Sequence, residues 1–452
     1  MKRLIFCFDG TWQKLDSPCP TNVVLTAETI LPLTPDGVAQ VIFYDEGVGT
    51  SKYEKFSGGV FGAGLVKNIA DGYRFLIFNY SPGDELYVFG FSRGAYTARS
   101  FVGLLHTVGI LERRVAAKVR EAVDLYRRRD TTAEYNDELL CFRRDNANQV
   151  CISEEERKWR AAAGIETQNT PLLEIEYLGV WDTVGALGIP ARFAIAKAVD
   201  KKFLFHDTSL SAFVKSARHA VAIDERRKDY VPTLWDNIDF LNAAKKIDSN
   251  APDAPYQQRW FPGVHCAVGG GGNHRGLSDQ TLDWILDGAR AAGLMLDGSP
   301  TSRIFELQPN YRDPLDPSDK PGLFYTVSNL FASADRVPGP PALNQVSMSA
   351  RRRWFESPNN LSDHRQYRPK TLDTVRQELN SLNPSDLGLG LDPGNAQFDM
   401  YEVQRGDQLR AIALKLLGSP DKSNLIFEAN LNKLDSPDRI YPGQLLRIPK
   451  QN

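Results

Sequence analysis

Cysteine is scarce and scattered. Cys7, Cys19, Cys141, Cys151 and Cys266 are an odd set with no CxxC pair, so neither a zinc site nor a disulfide framework is signalled, and folding in a reducing cytosol is expected. No run of about 18 uncharged apolar residues occurs, which gives no candidate for an apolar transmembrane helix. The opening MKRLIFCFDGTW reaches Asp9 too soon for the apolar core of a signal peptide, so synthesis in the cytoplasm without a signal peptide is the expectation, and any export would use a route that needs no cleavable signal. Excess charge of one sign is also missing. With 54 Lys and Arg against 56 Asp and Glu, a formal charge of −2 gives no electrostatic argument for nucleic acid as a partner. What the chain does have is 42% hydrophobic residues over 452 positions, enough for one large core and a smaller one.

Those apolar residues are grouped. Arg3 to Phe8 (RLIFCF), Val41 to Tyr44 (VIFY) and Leu86 to Phe91 (LYVFGF) read as buried strands. Leu65 to Tyr80 has helical spacing and stops at Ser81-Pro82-Gly83. Strand, helix, strand implies a parallel sheet. Leu173 to Trp181 and Trp260 to Val268 are further strand candidates, the second weakened at its start by Pro262. The expected fold class is α/β, a mostly parallel sheet with helices on both faces, over residues 1–300. An irregular extension follows over 301–386, then a linker over 387–398 and a separate small unit over 399–450.

The chemistry concentrates at Gly90-Phe91-Ser92-Arg93-Gly94. A GxSxG sequence between a hydrophobic strand and a helix-compatible run (Ala95 to His106) is the sequence form of a nucleophile elbow, in which a sharp turn lifts the serine hydroxyl above the sheet edge. Helix N–H groups there favour developing negative charge.

A serine needs a base and an orienting carboxylate. Six histidines compete. Asp182 follows the strand ending at Trp181, and His265 lies later, in FPGVHCAVGGGG, so the order Ser92, Asp182, His265 fits the chain order of such elbows. His219, in SARHAVAIDERR, is the rival base, although its surroundings read as a helix with a polar end and a buried, hydrogen-bonded structural role suits it. Asp224 is the rival acid, with a salt bridge to Arg218, Arg226 or Arg227 as its alternative role. The oxyanion needs two N–H donors, one from Arg93 and one from Gly10 or Thr11 after the first strand. The glycine run Gly269 to Gly272 lacks the Lys-Ser/Thr of a phosphate-binding loop and reads as a means of bending the His265 loop close to the sheet. The chemistry calls for no metal and no cofactor.

Together, RLIFCFDGTW, TNV (Thr21 to Val23), YDEGVGT (Tyr44 to Thr50), GFSRGAYTAR (Gly90 to Arg99), GVWDTVG (Gly179 to Gly185), RHAVAIDERR (Arg218 to Arg227) and FPGVHCAVGGG (Phe261 to Gly271) resemble the successive blocks of the type VI secretion lipase effector catalytic domain, a branch of the α/β-hydrolases. The resemblance covers roughly residues 1–290. It implies a phospholipase cleaving ester-linked acyl chains, with Ser92, Asp182 and His265 at the triad positions. It also implies delivery into a competitor's periplasm, with a secretion apparatus and an immunity protein as partners. The sequence departs from the family at Gln13, at Ala267 (usually acidic) and at Gly272 (usually aromatic).

The C-terminal unit resembles a LysM module, a βααβ fold: YEVQRGDQLRAI, IFEANL and IYPGQLLRIP carry the likeness. This implies binding of peptidoglycan or another N-acetylglucosamine polymer around Gly406, Asp407, Gln408 and Asn430 to Asn432. As structure alone, Asp407 is placed to cap the first helix of the module and Pro442-Gly443 to turn into its last strand. Two further stretches carry expectations. Glu112 to Arg129 reads as a basic amphipathic helix, either lying on anionic lipid or packing its Val, Ala and Leu inward. Leu323 to Asp335 reads as either an acyl groove or core. Two other functions are consistent with the same sequence, a cell-wall binding or secretion-apparatus protein with a degenerate hydrolase scaffold and an esterase for soluble or cell-wall acyl esters.

Overall fold

The computed structural model describes residues 1–10, 15–47, 58–128, 130, 132–167, 170–185, 209–228, 230–297, 302, 307–316, 334–387, 398–430, 434, 437, 440 and 443–450. In chain order the first elements are β1 (Arg3–Phe8), α1 (Asn22–Thr29), β2 (Gln40–Asp45), α2 (Gly58–Asn79), β3 (Glu85–Phe91), α3 (Arg93–Val108) and α4 (Val119–Arg128). They continue as α5 (Ala133–Asn146), α6 (Glu154–Ala162), β4 (Ile175–Trp181), β5 (Val214–Ala222), α7 (Ile238–Ala244), β6 (Tyr256–Phe261), α8 (His265–Gly269) and α9 (Gly276–Ala291). Short helices α10 (Met348–Phe355) and α11 (Arg376–Ser381) come next, then β7 (Phe398–Glu402), α12 (Leu409–Leu417), α13 (Ser423–Ala429) and β8 (Leu445–Pro449).

Strands β1 to β6 form a six-stranded parallel sheet of order β2-β1-β3-β4-β5-β6. The chain is α/β, as its alternating apolar runs imply. By internal contacts it divides into two units, the first comprising Met1–Asp16, Leu31–Ser216 and Thr233–Asn237, the second Ser17–Ile30, Ala217–Pro232 and Ile238–Asn452.

In the first unit β1 lies between β2 and β3, paired in parallel with both. Because the chain leaves β1 for a strand on one side and returns to one on the other, the C-terminal ends of β1 and β3 mark the topological switch point of the sheet, the position where open α/β sheets generally bind ligands. The core below it is aromatic. Phe6 and Phe8 of β1 pack on Phe101 of α3 at 4.7 and 5.5 Å between ring centres, and Phe6 meets Phe75 of α2 edge-on at 5.8 Å. Phe6, Phe8 and Phe101 are buried, and a ring of this size contributes roughly 1.5–3 kcal/mol in area removed from water. The basic stretch after Glu112 begins as a 3₁₀ turn (Arg113–Lys118) and continues as α4, whose Val119, Ala122, Val123, Leu125 and Tyr126 are buried. Its apolar face is used in packing.

In the second unit β5 pairs with β6, with His219 opposite Gln258 and Ala222 opposite Phe261. The RHAVA stretch is thus strand, not helix as its polar residues suggested. It is buried on both faces, and Arg218 satisfies its charge inside by donating to Trp284 O at 2.5 Å with its guanidinium over the Trp284 ring. The strand expected over 260–268 is displaced: β6 ends at Phe261, and residues 265–269 form α8. Pro262 and Gly263 break the ladder between them. Most of Leu323 to Asp335 lies outside the described residues. The extension after residue 301, expected to be irregular, includes α10 and α11, with Trp354 and Arg353 almost fully buried.

The C-terminal module has its own core of Val403, Leu409, Ile412, Ala413, Leu417, Ile426, Leu434, Leu446 and Ile448 beneath the antiparallel β7–β8 pair. It docks on α9. Asp287 accepts the Leu445 N–H at 3.3 Å, Arg290 pairs with Glu402 at 2.6 Å, and Arg447 donates to Leu307 O at 3.2 Å.

Candidate active site

Ser92 directly follows β3 and precedes the first turn of α3, with φ 60° and ψ −122°. A non-glycine residue held there stores about 1–3 kcal/mol of backbone strain, which surrounding contacts must hold. The glycines of the GxSxG sequence supply the room. A Cβ on Gly90 would sit 2.5 Å from Gly94 O and 2.7 Å from the Ala95 Cα, and one on Gly94 would collide with the carbonyls of Phe8 and Asp9. The elbow is therefore pressed against the end of β1. Its backbone is latched on the other side to the end of β4: the Ser92 N–H donates to Trp181 O at 3.0 Å, and Ser92 O accepts the Val184 N–H at 3.4 Å. Arg93, the expected oxyanion donor, is the first residue of α3.

Asp182 lies between those two latches, directly after β4, fully buried and also at positive φ, 38°. The Asp182 turn is braced from outside, because the Thr233 N–H donates to Thr183 O at 2.8 Å. Arg99 of α3 donates to Thr233 O, its guanidinium 5.4 Å from the Trp235 ring centre. Arg99 was not singled out from sequence. Its place in the GFSRGAYTAR block, one helical turn and more beyond Ser92, was the available signal.

After β1, Asp9 is buried and accepts from the Tyr44 hydroxyl at 2.8 Å and from the Gly10 N–H at 2.6 Å. Burial, reinforced by the Asp9 charge, pushes the Tyr44 phenol well up, so it stays a donor. The Gly10 N–H is thus engaged with Asp9, and Thr11 lies outside the described residues.

His265, in the second unit, opens α8 and is 4% exposed. Its backbone N–H donates to Glu225 Oε2 at 3.2 Å, and the Tyr230 ring stands edge-on to its imidazole at 4.9 Å. Gly263, two residues earlier, has φ 108°, and a Cβ there would collide with Ala267 Cβ. The acidic-to-Ala departure at 267 is therefore a buried small residue beneath this turn, 1% exposed. The glycine run packs on the segment after Cys19: the Gly271 N–H donates to Pro20 O at 3.1 Å, and a Gly270 Cβ would lie 2.7 Å from Asn22 N. Asn22, from the TNV block, fixes this loop by donating to Val268 O, Ser278 O and Thr281 Oγ1 at 3.0–3.1 Å.

The rivals are placed elsewhere. His219 is fully buried in mid-strand β5, its Nδ1 3.0 Å from Gln258 Oε1. Asp224 does not pair with the arginines expected for it. It accepts the Gly263 N–H at 2.7 Å and the Tyr367 hydroxyl at 2.9 Å, while Arg227 pairs with Glu225 and Arg226 with Asp335. Burial raises the Asp224 carboxyl to about 6 against those hydrogen bonds. Burial also pushes Glu225 up, but the hydrogen bonds and charge of Arg227 and the charge of His265 outweigh it, and its pKa is lowered.

In the C-terminal module Asp407 is not a helix cap. The residue before α12 is Gln408, with no side-chain cap, and Asp407 Oδ2 instead accepts the Tyr401 hydroxyl and the Gln404 N–H, each at 2.8 Å. Gly406 is at φ 90° with open space around it. Asn430 is fully buried and committed internally, donating to Ile426 O and Arg447 O at 2.7 Å and accepting the Arg447 N–H at 2.8 Å. Asn432 lies outside the described residues.

A parallel sheet with a strained serine elbow after its third strand, plus a small βααβ unit, defines an α/β-hydrolase-type domain joined to a LysM-type module. Residues 2–288 match the family described as T6SS, phospholipase effector Tle1-like, catalytic domain, and residues 401–449 match the LysM domain. The chain belongs to the Tle1-like phospholipase effector family of type VI secretion and carries a LysM domain. It is 27% identical over 255 residues to the uncharacterized protein YEL023C of Saccharomyces cerevisiae, covering 53% of this chain and 33% of that one. Over 51 residues it is 53% identical to the potassium binding protein Kbp of Escherichia coli, covering 11% of this chain and 34% of that one. The chain thus spans about a third of the length of these curated relatives. Among solved structures it is similar to an uncharacterized protein from Pseudomonas aeruginosa, with a TM-score of 0.40, 14% identity, and coverage of 98% of this chain and 64% of that one. It is also similar to the Tle1 effector bound to the VgrG spike, with a TM-score of 0.31, 16% identity, and coverage of 60% and 51%.

Proposed function

We propose that this family member is a serine-dependent carboxylic ester hydrolase that releases acyl chains from phospholipids. The observation that carries this reading is the Ser92 backbone, strained at φ 60° between two glycines without room for a Cβ. An ordinary strand-to-helix turn has no need of that strain, whereas a nucleophile that must stand clear of the sheet does.

In this reading Ser92 Oγ attacks the ester carbonyl carbon as its proton passes to His265, and Asp182 holds the imidazole in the productive tautomer. The oxyanion is stabilised by the Arg93 N–H at the start of α3. With the Gly10 N–H held by Asp9, the second donor is assigned to Thr11. His265 then protonates the leaving alcohol, and water, activated by the same imidazole, hydrolyses the acyl-serine. The LysM domain holds the enzyme on peptidoglycan through the exposed turn at Gly406 to Gln408, and secretion machinery of the type the family serves delivers it to its target.

The test is fatty acid release from mixed phospholipid vesicles by the wild-type chain beside Ser92→Ala, Asp182→Ala, His265→Ala and His219→Ala. Loss of about 10³-fold or more in the first and third, with His219→Ala retaining activity if it folds, is the expected result. A Ser92→Ala variant as active as wild type would overturn the reading.

A further inference from the structure

We propose that Glu225, acting through Arg227 and Tyr230, positions His265 for proton transfer. This rests on the reading of His265 as the base. Neither Glu225 nor Tyr230 is a catalytic residue in this scheme; both act through the histidine.

The geometry is a closed circuit within the second unit. After β5 the chain turns beneath the loop that carries His265, with the Ile223 N–H on Phe261 O at 2.9 Å. Two successive carboxylates then hold that loop by its backbone: Asp224 accepts the Gly263 N–H at 2.7 Å, and Glu225 accepts the His265 N–H at 3.2 Å. Glu225 is itself held in a two-point pair with Arg227, Nε to Oε1 and NH2 to Oε2, both 2.8 Å, and accepts the Arg227 backbone N–H at 2.8 Å. The Arg227 guanidinium lies 3.5 Å from the Tyr230 ring centre, and Tyr230 stands against the His265 imidazole with the ring planes at 79°. The circuit leaves His265 at its backbone and returns at its ring.

Two physical arguments turn this arrangement into a role. A buried ion pair is weak evidence of stability, since apolar replacement is often neutral or better, so a Glu–Arg pair with Glu225 2% exposed calls for another reason. Proton transfer supplies one. A base displaced by about 1 Å from its productive position loses about 10²-fold in rate. Gripping the backbone N–H fixes where the imidazole starts, and an edge-on ring limits how it rotates. Glu225 meets the backbone of His265, which leaves the imidazole nitrogens for their own partners.

The test uses the full chain and a soluble p-nitrophenyl ester. Tyr230→Leu, which removes the ring, is expected to lower kcat about 10- to 100-fold with KM within about twofold of wild type. Tyr230→Phe, which keeps the ring, is expected to restore kcat to within about twofold. Glu225→Gln, which keeps one acceptor oxygen but breaks the two-point pair, is expected to fall between. The rate of Ser92 modification by a fluorophosphonate is read in parallel on every variant that folds. A Tyr230→Leu enzyme with wild-type kcat, or one raised only in KM, would overturn the proposal while His265→Ala remains inactive. Activity retained in His265→Ala, or a wild type that neither turns over nor reacts with the probe, would overturn the base assignment and this proposal with it.

Discussion

The backbone N–H of Ser92 donates to the carbonyl of Trp181 at 3.0 Å, so the strained serine and the residue preceding Asp182 are held by one hydrogen bond across the ends of adjacent strands. The Val184 N–H on Ser92 O closes the same bracket from the far side of Asp182. The backbones at two positive-φ residues are thereby tied together by main-chain hydrogen bonds. Rotamers matter less to their spacing than the β3–β4 register, in which Phe91 lies opposite Trp181.

Crowding at the elbow makes its glycines irreplaceable. Gly94→Ala forces a methyl group into the carbonyls of Phe8 and Asp9, which are backbone atoms at the end of a buried strand. The expected result is a loss of about 1–3 kcal/mol in urea unfolding together with loss of ester hydrolysis. Gly83→Ala is the control for a surface turn, because a Cβ there meets nothing within 4 Å. Its positive φ of 92° costs stability only, and ester hydrolysis is expected to persist.

Asp224 gives a pH signature. Its folded pKa is raised to about 6 by burial, above an unfolded value of about 3.9. The folded state therefore binds the proton more tightly, and the associated stability is fully present below about pH 4 and lost as pH rises through 6. The loss approaches about 3 kcal/mol. Urea unfolding of wild type and Asp224→Asn at pH 4, 5, 6 and 7 is expected to show the variant gaining on wild type across that window. A difference independent of pH would count against a neutral Asp224 in the acid range.

The LysM domain should report its docking on α9. Asp287→Ala removes the acceptor for the Leu445 N–H, a buried donor whose loss of a partner costs about 1–3 kcal/mol. Faster hydrogen exchange at Leu445 and its neighbours in β8, with β1 and β3 unchanged, is the expected outcome.

Within that domain, stability and the proposed glycan binding are expected to separate. Asn430→Ala breaks two buried hydrogen bonds to Arg447 of β8 and one to Ile426 of α13, and is expected to unfold the domain at lower urea concentration. Gln408→Ala, at the exposed turn, is expected to leave unfolding unchanged and weaken sedimentation with insoluble peptidoglycan. Equal sedimentation of Gln408→Ala and wild type would move the binding surface away from this turn.

The sheet was legible where apolar runs were buried on both faces. RLIFCF and LYVFGF differ from β1 and β3 by no more than a residue, since nothing polar interrupts them. Strand β5 was not, because Arg218 and His219 carry polar groups into the interior and satisfy them against Trp284 O and Gln258, partners distant in sequence. A period-based reading takes such residues for a solvated helix face. The elbow was legible for the opposite reason: its glycines and serine are contiguous, and strain is written locally. The Glu225–Arg227–Tyr230 circuit was not. DERR looks like a solvent-exposed charge cluster until the fold brings the Gly263 and His265 N–H groups over its first two carboxylates. Asp407 shows the same limit, since a residue placed to cap a helix instead closes the turn before it.

The most direct measurement is mass spectrometry of the full chain after treatment with a fluorophosphonate, with the modified peptide sequenced. A single adduct on Ser92, formed rapidly in wild type and slowed at least about 10³-fold in His265→Ala, is the expected result. An adduct on another serine, or none at a concentration that labels a known serine esterase, would contradict the assignment of Ser92 as nucleophile.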